Sequence, residues 1–404
     1  MSNTSHILRL YTPTGEFIQD LDAWKSIDVT LTENDIAPLT ITLSPQYTDQ
    51  IFSRDCRVLY ERAPAAGEYY LPARIVGDTM WLLGSKERVV EEDGSSSIVL
   101  ICDHPNKILA SRVVAYNEGT AQADKSDLAS TVINEIVNQN LSAGATDATR
   151  RISTSHFVLD TAPNPAIGAT VAKSFSYQNV LSAIQEICQS SAQQDYYMGF
   201  EVWCPTPPGP FRFRQYGRQR GTNRGFASDQ PFILYSLSQQ YGGFMASSVR
   251  EDWSNVVSFV YAGGPGKVDE RSVQSVSDPT LMAQSPFGRV EAFLSAQSGD
   301  ATALNSEAYK MLRAARPQRD FNADFANQTQ YIYDVHYTWG DIIGVNFAAP
   351  IITYGALSGW VTYKFDVRLN PVHITAQRFY DQDGYIIDEQ EKVEISLRSI
   401  SSTA

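Results

Sequence analysis

The chain has 404 residues, a net charge of −13 and 19% charged side chains, below the ~25% usual for soluble domains. Its length suggests two to four domains at ~150 residues each, and 43% hydrophobic residues exclude a disordered chain. The acidic balance argues against a protein that grips nucleic acid, which must replace phosphate counterions, though a local basic patch remains compatible with it.

Taken from the start, MSNTSHILRLYTPTGEF has no cationic start followed by an apolar stretch and is not read as a secretory signal. The first 110 residues alternate as strands do. SIDVTL (26–31) and PLTITL (38–43) separate apolar from polar faces. YYLPARIV (69–76), Gly77-Asp78 and TMWLL (79–83) read as a hairpin, because Gly at the first loop position supplies the positive φ of a type II′ turn. RVV (88–90), the turn Glu91-Glu92-Asp93-Gly94 and SIVLI (97–101) extend it into an antiparallel meander. Such strands tend to close into a barrel or sandwich, which removes their edges.

Residues 111–200 change character. Leu128, Val132, Ile133, Ile136 and Val137 fall on one helical face, with Asp124 or Ser126 available as N-cap. A Ser/Thr/Ala/Asn-rich stretch with Asn164-Pro165 reads as loop. Val180, Leu181, Ile184, Ile187 and Cys188 make a second stripe, with Ser176 as its expected cap, and residues 196–203 read as a strand. PTPPGP (205–210) breaks the chain before FRFRQYG (211–217) alternates again. Strands return from residue 231. A helix with Leu304, Ala308, Met311, Leu312 and Ala315 buried, Asp300 as cap and Pro317 as stop interrupts them. Residues 342–363 carry no charge over 22 positions, enough to span a bilayer. Their Gly and Pro breaks fit strands joined by a turn better. After residue 364 the strands run through VHITAQRFY, a turn at Asp381-Gln382-Asp383-Gly384 and YIIDEQEKVEISLRSI.

Few residues carry recognisable chemistry. Cys56, Cys102, Cys188 and Cys204 lie 46, 86 and 16 residues apart with no C-x-x-C pair, which reads as reduced, buried thiols. His6, His104, His156, His336 and His373 show no metal-ligand spacing. Gly263-Gly264-Pro265-Gly266-Lys267 fails as a phosphate loop, with Tyr261 at the first Gly position and Val268 after the Lys. No G-x-S-x-G elbow appears. Glu91, Glu92, Asp93, Asp381, Asp383, Asp388, Glu389 and Glu391 cluster at turns and read as solvated. Glycosidase chemistry would need two carboxylates facing across a cleft.

One basic stretch stands against the global charge. FRFRQYGRQRGTNRGF (211–226) interleaves Arg212, Arg214, Arg218, Arg220 and Arg224 with aromatic residues. On a strand, Arg212 and Arg214 share one face. That row suits acidic surface on a partner or neighbouring subunit, since Arg pairs bidentately with carboxylates; a plain solvated face or a nucleic-acid contact are the other readings.

Three segments in order carry a family resemblance. The first is Trp24 with the strands 26–31 and 39–43, the strand Arg57-Val-Leu-Tyr-Glu61 and the meander to Cys102. The second is Glu251-Asp-Trp-Ser-Asn-Val-Val257, the Gly-rich turn 263–266 and Arg271. The third is Phe287-Gly-Arg-Val-Glu291, the helix 301–315, and Tyr337-Thr-Trp-Gly-Asp-Ile-Ile343 with its Gly340-Asp341 step before an apolar strand. This order resembles the tail-tip or baseplate hub proteins of tailed bacteriophages, of the long-tailed siphovirus type and related to hubs of contractile tails and gene transfer agents.

The resemblance implies a mainly β fold with α+β inserts: two antiparallel β-barrels, an inserted α+β module and a helical excursion. The corresponding boundaries are 1–112 for an N-terminal barrel, 113–235 for the inserted module, 236–265 with 325–404 for a second barrel, and 266–324 for the helix-containing excursion. It implies a structural virion protein with no catalytic centre, cofactor or metal, made in the host cytoplasm and placed at the distal end of the tail. It further implies a homotrimer around an axial DNA channel. The implied partners are a distal tail protein, a tape-measure protein, and a central fibre or spike with receptor-binding proteins. Arg212, Arg214, Arg218 and Arg220 are the expected inter-subunit or partner contacts. The chain stops just after its last strand, so no lytic or needle domain is expected. Residues 1–110 carry nine basic and sixteen acidic groups, and residues 317–404 six and eleven. Such ends would weakly repel phosphate, as suits a channel that passes DNA without holding it. The alternatives are a tail-associated cell-wall or polysaccharide hydrolase, and a carbohydrate receptor-binding β-protein using an aromatic platform among Tyr331, Tyr333, Tyr337 and Trp339.

Overall fold

Alternation of apolar and polar residues builds several of the N-terminal strands. The computed structural model describes residues 4–399 except 64, 67–68, 71–73, 77–78, 91–94, 116–122, 160–165, 236–243, 254, 267–270, 285–288, 298, 317, 326–331, 354–355 and 382–384. The expected turns at Gly77-Asp78, 91–94 and 382–384, the Asn164-Pro165 loop, Phe287, Lys267, Val268, Pro317 and Tyr331 fall outside the described residues. Strands β1 (Ser5–Tyr11), β2 (Phe17–Asp20), β3 (Trp24–Leu31), β4 (Pro38–Leu43) and β5 (Arg57–Ala63) come first. Three two-residue pieces follow, β6 (Ala65–Ala66), β7 (Tyr69–Tyr70) and β8 (Arg74–Ile75), then β9 (Trp81–Val90) and β10 (Ser96–Asp103). The stretches expected as separate strands at 79–83 and 88–90 are joined in the single strand β9. Ile27, Val29 and Leu31 of β3, Leu39, Ile41 and Leu43 of β4, and Ile98, Leu100 and Cys102 of β10 are all buried at every second position, as one packed sheet face requires.

Residues 107–217 hold α1 (Lys107–Ala110), β11 (Ala123–Leu128), α2 (Ala129–Leu141), β12 (Phe157–Leu159), β13 (Thr170–Phe175), α3 (Val180–Ala192), β14 (Met198–Trp203) and β15 (Phe211–Gly217). Val132, Ile133, Ile136 and Val137 of α2 and the whole stripe of α3 are buried here, in one cluster with Phe157, Phe200 and Phe213 and with Tyr11, Leu59, Met80 and Leu82 on the back of the first sheet; Leu128, expected in the first stripe, instead ends β11 and is half-buried. The caps differ from expectation. Asp124 and Ser126 lie inside β11, which pairs with β13, and the start of α2 is satisfied by backbone: Ala129 N–H donates to the Ala169 carbonyl at 2.9 Å. For α3, Asn179 Oδ1 accepts from the Leu181 N–H at 3.0 Å, in place of Ser176.

Two short pieces, β16 (Asn223–Arg224) and β17 (Ile233–Tyr235), lead to β18 (Phe244–Asp252), β19 (Phe259–Gly263), β20 (Val273–Ser277), α4 (Pro279–Ala283), β21 (Glu291–Ser295), α5 (Ala301–Ala314) and β22 (Gln318–Phe325). The expected Asp300 cap is present, its Oδ2 accepting from the Ala303 N–H at 2.9 Å. Helix α5 covers one face of the sheet β20-β19-β21 through Leu304, Ala308 and Leu312 against Val260, Ala262 and Val276. The chain then closes with β23 (Ile342–Thr353), β24 (Ala356–Tyr380) and β25 (Ile386–Ser399). The uncharged stretch is thus two strands in antiparallel register. Among the described residues no helix is long and apolar enough to cross a membrane.

The mainly β class with a few helices is borne out; among the described residues closed barrels are not observed. Among the described residues, thirteen strands share one sheet ordered β16-β23-β24-β3-β4-β10-β9-β5-β1-β2, with β17 on β23, β25 on β24 and β8 on β5. No sheet here closes on itself. The physical reason is the ladder from Val372↔Leu31 to Gln377↔Ser26: the edge of each β-rich end is covered by the other end, so neither needs closure to hide it. One core runs accordingly from Leu8 and Trp24 to Ile374 and Leu397.

Candidate interface and buried charge clusters

The Arg-rich segment starts in β15, beside β14. Its register sets Arg214 directly across from Glu201. The two form an ion pair, with the Arg214 guanidinium 3.7 Å above the Trp203 ring. Beyond the strand, Arg220 returns to the same carboxylate, its Nε 3.0 Å from Glu201 Oε2 and its guanidinium 4.0 Å over Trp339. The Glu201 and Arg220 side chains are only 3% and 7% exposed. Burial alone would raise the Glu201 carboxyl, but Arg220 and Arg214 outweigh it and hold its pKa below the usual range. Arg224 donates to the His336 carbonyl at 2.7 Å and stands 3.7 Å from Asp341. The structure therefore brings Arg214 and Arg220 together inside the chain. Arg212 is half-buried on β15, and Arg218 is exposed, at a positive φ of 69°.

Beside this pair lies a second buried set that the sequence did not single out. The Tyr197 hydroxyl donates to Glu33 Oε2, and Arg368 stacks 3.4 Å over the Tyr197 ring with Nη1 3.5 Å from the same oxygen. Arg368 Nη2 donates to the Arg218 carbonyl. Burial raises the Glu33 pKa despite Arg368. Asp341, fully buried, accepts from the backbone N–H groups of Thr222 at 2.6 Å and Thr338 at 3.0 Å. The Gly340 before it has φ +82°, with Arg220 Cβ 2.7 Å from where its own Cβ would stand. That explains the Gly-Asp step physically: the turn needs positive φ and has no room for a side chain.

The edge of β14 is closed by side chains rather than by another strand. Asn34 Oδ1 accepts from the Phe200 N–H and Asn106 Oδ1 from the Val202 N–H, both at 2.8 Å. Arg57, buried, donates to the carbonyls of Pro208 at 2.7 Å and Gly209 at 2.9 Å. Together these contacts fasten β14 and the Pro208-Gly209 turn to the first sheet and the segment that follows it.

A third cluster corrects the solvated reading of two carboxylates. Glu391 is 1% exposed and takes a bidentate pair from fully buried Arg62, at 2.7 Å from Nε and 2.6 Å from Nη2. Asp334 meets Arg62 at 3.0 Å. Glu389 pairs with Arg378 at 2.9 Å. His6 Nδ1 shares a hydrogen bond with the Tyr60 hydroxyl at 2.8 Å. Its Nε2 is 3.3 Å from Glu391, yet that charge is already matched by Arg62. Burial, then Arg62 and Arg378, push the imidazole down to about 3. The opposite strand edges were invisible in sequence, so Arg62 and its partners Glu391 and Asp334, 329 and 272 residues away, had no local signal. Glu201 did have one: MGFEVW and FRFRQYG flank a Pro/Gly break with opposite charges.

The aromatic-platform reading does not survive at Tyr333, Tyr337 and Trp339, which are 2%, 3% and 2% exposed. The adjoining cavity between Arg74, Arg220, Asp334 and Trp339 holds about 100 Å³, below the ~300–1,000 Å³ of small-molecule sites. The Gly-rich turn after β19 has a structural role. Arg271 clamps the Gly264 carbonyl at 2.7 Å and the Ser295 hydroxyl at 2.6 Å. The four cysteines are free and buried, and burial raises Cys188 to about 12. Among the described residues, no group of three or more His, Cys, Asp or Glu side chains is placed to hold a metal ion.

A family model described as siphovirus ReqiPepy6 Gp37-like protein matches residues 7–356. No curated protein matches the sequence. Among solved structures, a tail protein from Neisseria meningitidis MC58 shares 12% identity at a TM-score of 0.52, over 98% of this chain and 96% of that one. The prophage tail protein gp18 from Listeria monocytogenes EGD-e shares 13% at 0.50, over 98% and 95%. A Francisella PdpA-VgrG complex gives 10% at 0.51, covering this whole chain and 59% of the other. These likenesses show a common fold running the length of the chain.

Proposed function

This chain belongs to the family of siphovirus ReqiPepy6 Gp37-like proteins, and from that premise we propose that it is a structural subunit of a phage tail, the hub at its distal end. In this reading three copies form a ring around an axial channel. The distal tail protein and tape-measure protein lie on one side, and a central fibre or spike with the receptor-binding proteins on the other. DNA passes through without being held. The observation that carries the reading is the fold shared end to end with a tail protein and a prophage tail protein, over 95% or more of each chain. The geometry supports it: the buried carboxylates Glu201 and Glu391 are matched by arginines of the same chain, an arrangement that fixes architecture rather than exposing a reactive pair.

We retain the segment holding Arg212, Arg214, Arg218 and Arg220 as an inter-subunit or partner surface. Arg218 is exposed and Arg212 half-buried, while Arg214 and Arg220 pin the segment to Glu201. Light scattering of the chain alone and with its distal tail protein tests the proposal. Three copies, alone or on mixing, support it; a single copy that ignores every tail protein contradicts it. Arg212→Glu with Arg218→Glu should impair assembly and leave folding intact. Arg214→Glu is unsuitable, because it would set two carboxylates side by side.

A further inference from the structure

Residues 253–316 leave the rest of the chain and return to it at a single rung. Strands β18 and β22 pair from Phe244↔Phe325 to Asp252↔Gln318, and β22 lies beside β25. Everything between the two strands, from β19 to α5, is therefore a lobe inserted at the end of a two-stranded ribbon. Its small core of Leu304, Ala308 and Leu312 against Val260, Ala262 and Val276 shares no residue with the two larger clusters. Trp253, the first residue past the last rung, is 60% exposed and does not brace the junction.

The lobe meets the body at the end of α3. Arg313, in the last turn of α5, donates to the Gln193 carbonyl at 2.9 Å and pairs with Asp195 Oδ2 at 2.9 Å. Gln193 closes α3, so its carbonyl is among those a helix leaves without an internal partner, at the end whose dipole favours a cation. Asp195 has a positive φ of 64°, where glycine is the usual residue. An aspartate there accepts a less favourable backbone and supplies the carboxylate that Arg313 meets. A turn earlier on α5 stands Lys310, paired with Glu307. Burial would raise the Glu186 carboxyl of α3, but Lys173 and Gln178, with Lys310 behind them, hold it below the usual range.

This contact is polar and partly wet, with the Arg313 and Asp195 side chains 30% and 40% exposed. An ion pair of that exposure shifts an equilibrium by at most about 5-fold, and the carbonyl hydrogen bond adds about 10-fold. Parts of a chain move against each other unless a large apolar interface holds them. We propose that Arg313 is a releasable latch: it holds the 253–316 lobe against the end of α3, and on its release the lobe swings about the Asp252–Gln318 rung with its own core intact. A hinge of this kind needs only a few residues at the ends of elements. The latch is a property of the single chain and stands apart from the subunit reading above.

Spin labelling tests it. Ser182 on α3 and Ser306 on α5 are exposed and the native cysteines are buried, so Ser182→Cys with Ser306→Cys takes two labels. Electron–electron double resonance should show one main separation at ~0.05 M NaCl, and a second population at least ~3-fold larger at ~1 M, where charges are screened within ~3 Å. Asp195→Gly, which also relieves the positive φ, should enlarge that population ~3–5-fold at low salt. Arg313→Ala should enlarge it at least as much, and the two changes together no more than Arg313→Ala alone. Hydrogen exchange in α5 and β19 should stay at the wild-type level. An unchanged single separation in both variants would overturn the latch. So would a second population that comes with lost protection in α5, since the lobe would then be unfolding rather than swinging.

Discussion

At the scale of single residues, the protein is held by buried charges whose partners come from distant parts of the chain. Removing one partner of such a pair leaves the other charged and unsolvated. Glu201→Gln should therefore cost ~3–5 kcal/mol at pH 7, at the lower end because Arg214 is 30% exposed and screened, read as a lowered urea midpoint. The sign of its pH dependence follows from the depressed carboxyl. Its contribution is fully present above the ordinary carboxyl value of 4.5 and is lost as pH falls through the lower folded value. The gap between wild type and variant should accordingly close on acidification. The buried histidines act across a wider window. His6 and His104 are held down to about 3 and about 4, in both cases chiefly by burial, against an ordinary value of 6.5. The stability that comes from keeping them neutral is present above 6.5 and is lost as pH falls toward those values. His6→Gln should flatten the acid limb of the melting profile by up to ~1.4 kcal/mol per pH unit between 6.5 and 3. An unchanged slope would show that His6 is protonated in the fold. The five arginines of 211–226 were legible in the sequence; that Glu201 meets two of them and Asp341 a third depends on strand register, which local pattern does not fix.

The elements show where local sequence decides and where packing overrides it. Helix α5 was readable with its cap because Asp300 has no competing partner strand. Helix α2 was not, because β11 recruits the residues that looked like caps. Leu304→Ala should cost ~2–5 kcal/mol, confined to the small cluster of α5 and its sheet. Hydrogen exchange should show amides of β19, β20 and α5 losing protection while those of β3 and β4 keep theirs. At the edge of β14, Asn106→Ala strands the Val202 N–H and the Asp35 carbonyl, both bonded to the Asn106 side chain at 2.8 and 2.9 Å. The expected loss is ~1–3 kcal/mol, measured by urea unfolding. Asparagines in loops gave no hint in sequence that they finish a sheet.

For the whole molecule, alternation revealed strands at both ends of the chain, but pattern within a strand does not name its neighbour. The pairing of β3 with β24 joins what looked like two barrels into one sheet, and only three-dimensional structure could supply that rung. The acidic excess at both ends remains consistent with a wall that DNA passes. The chain should bind short duplex DNA more weakly than the ~1–100 µM of ordinary non-specific binders at physiological salt, by fluorescence anisotropy. The most direct test is the copy number of this chain in purified tailed particles, by quantitative mass spectrometry against the major tail protein. Three copies per particle are expected of a subunit that closes the tail's distal end. Its absence from particles, or a copy number in the range of the tail tube itself, would contradict that role.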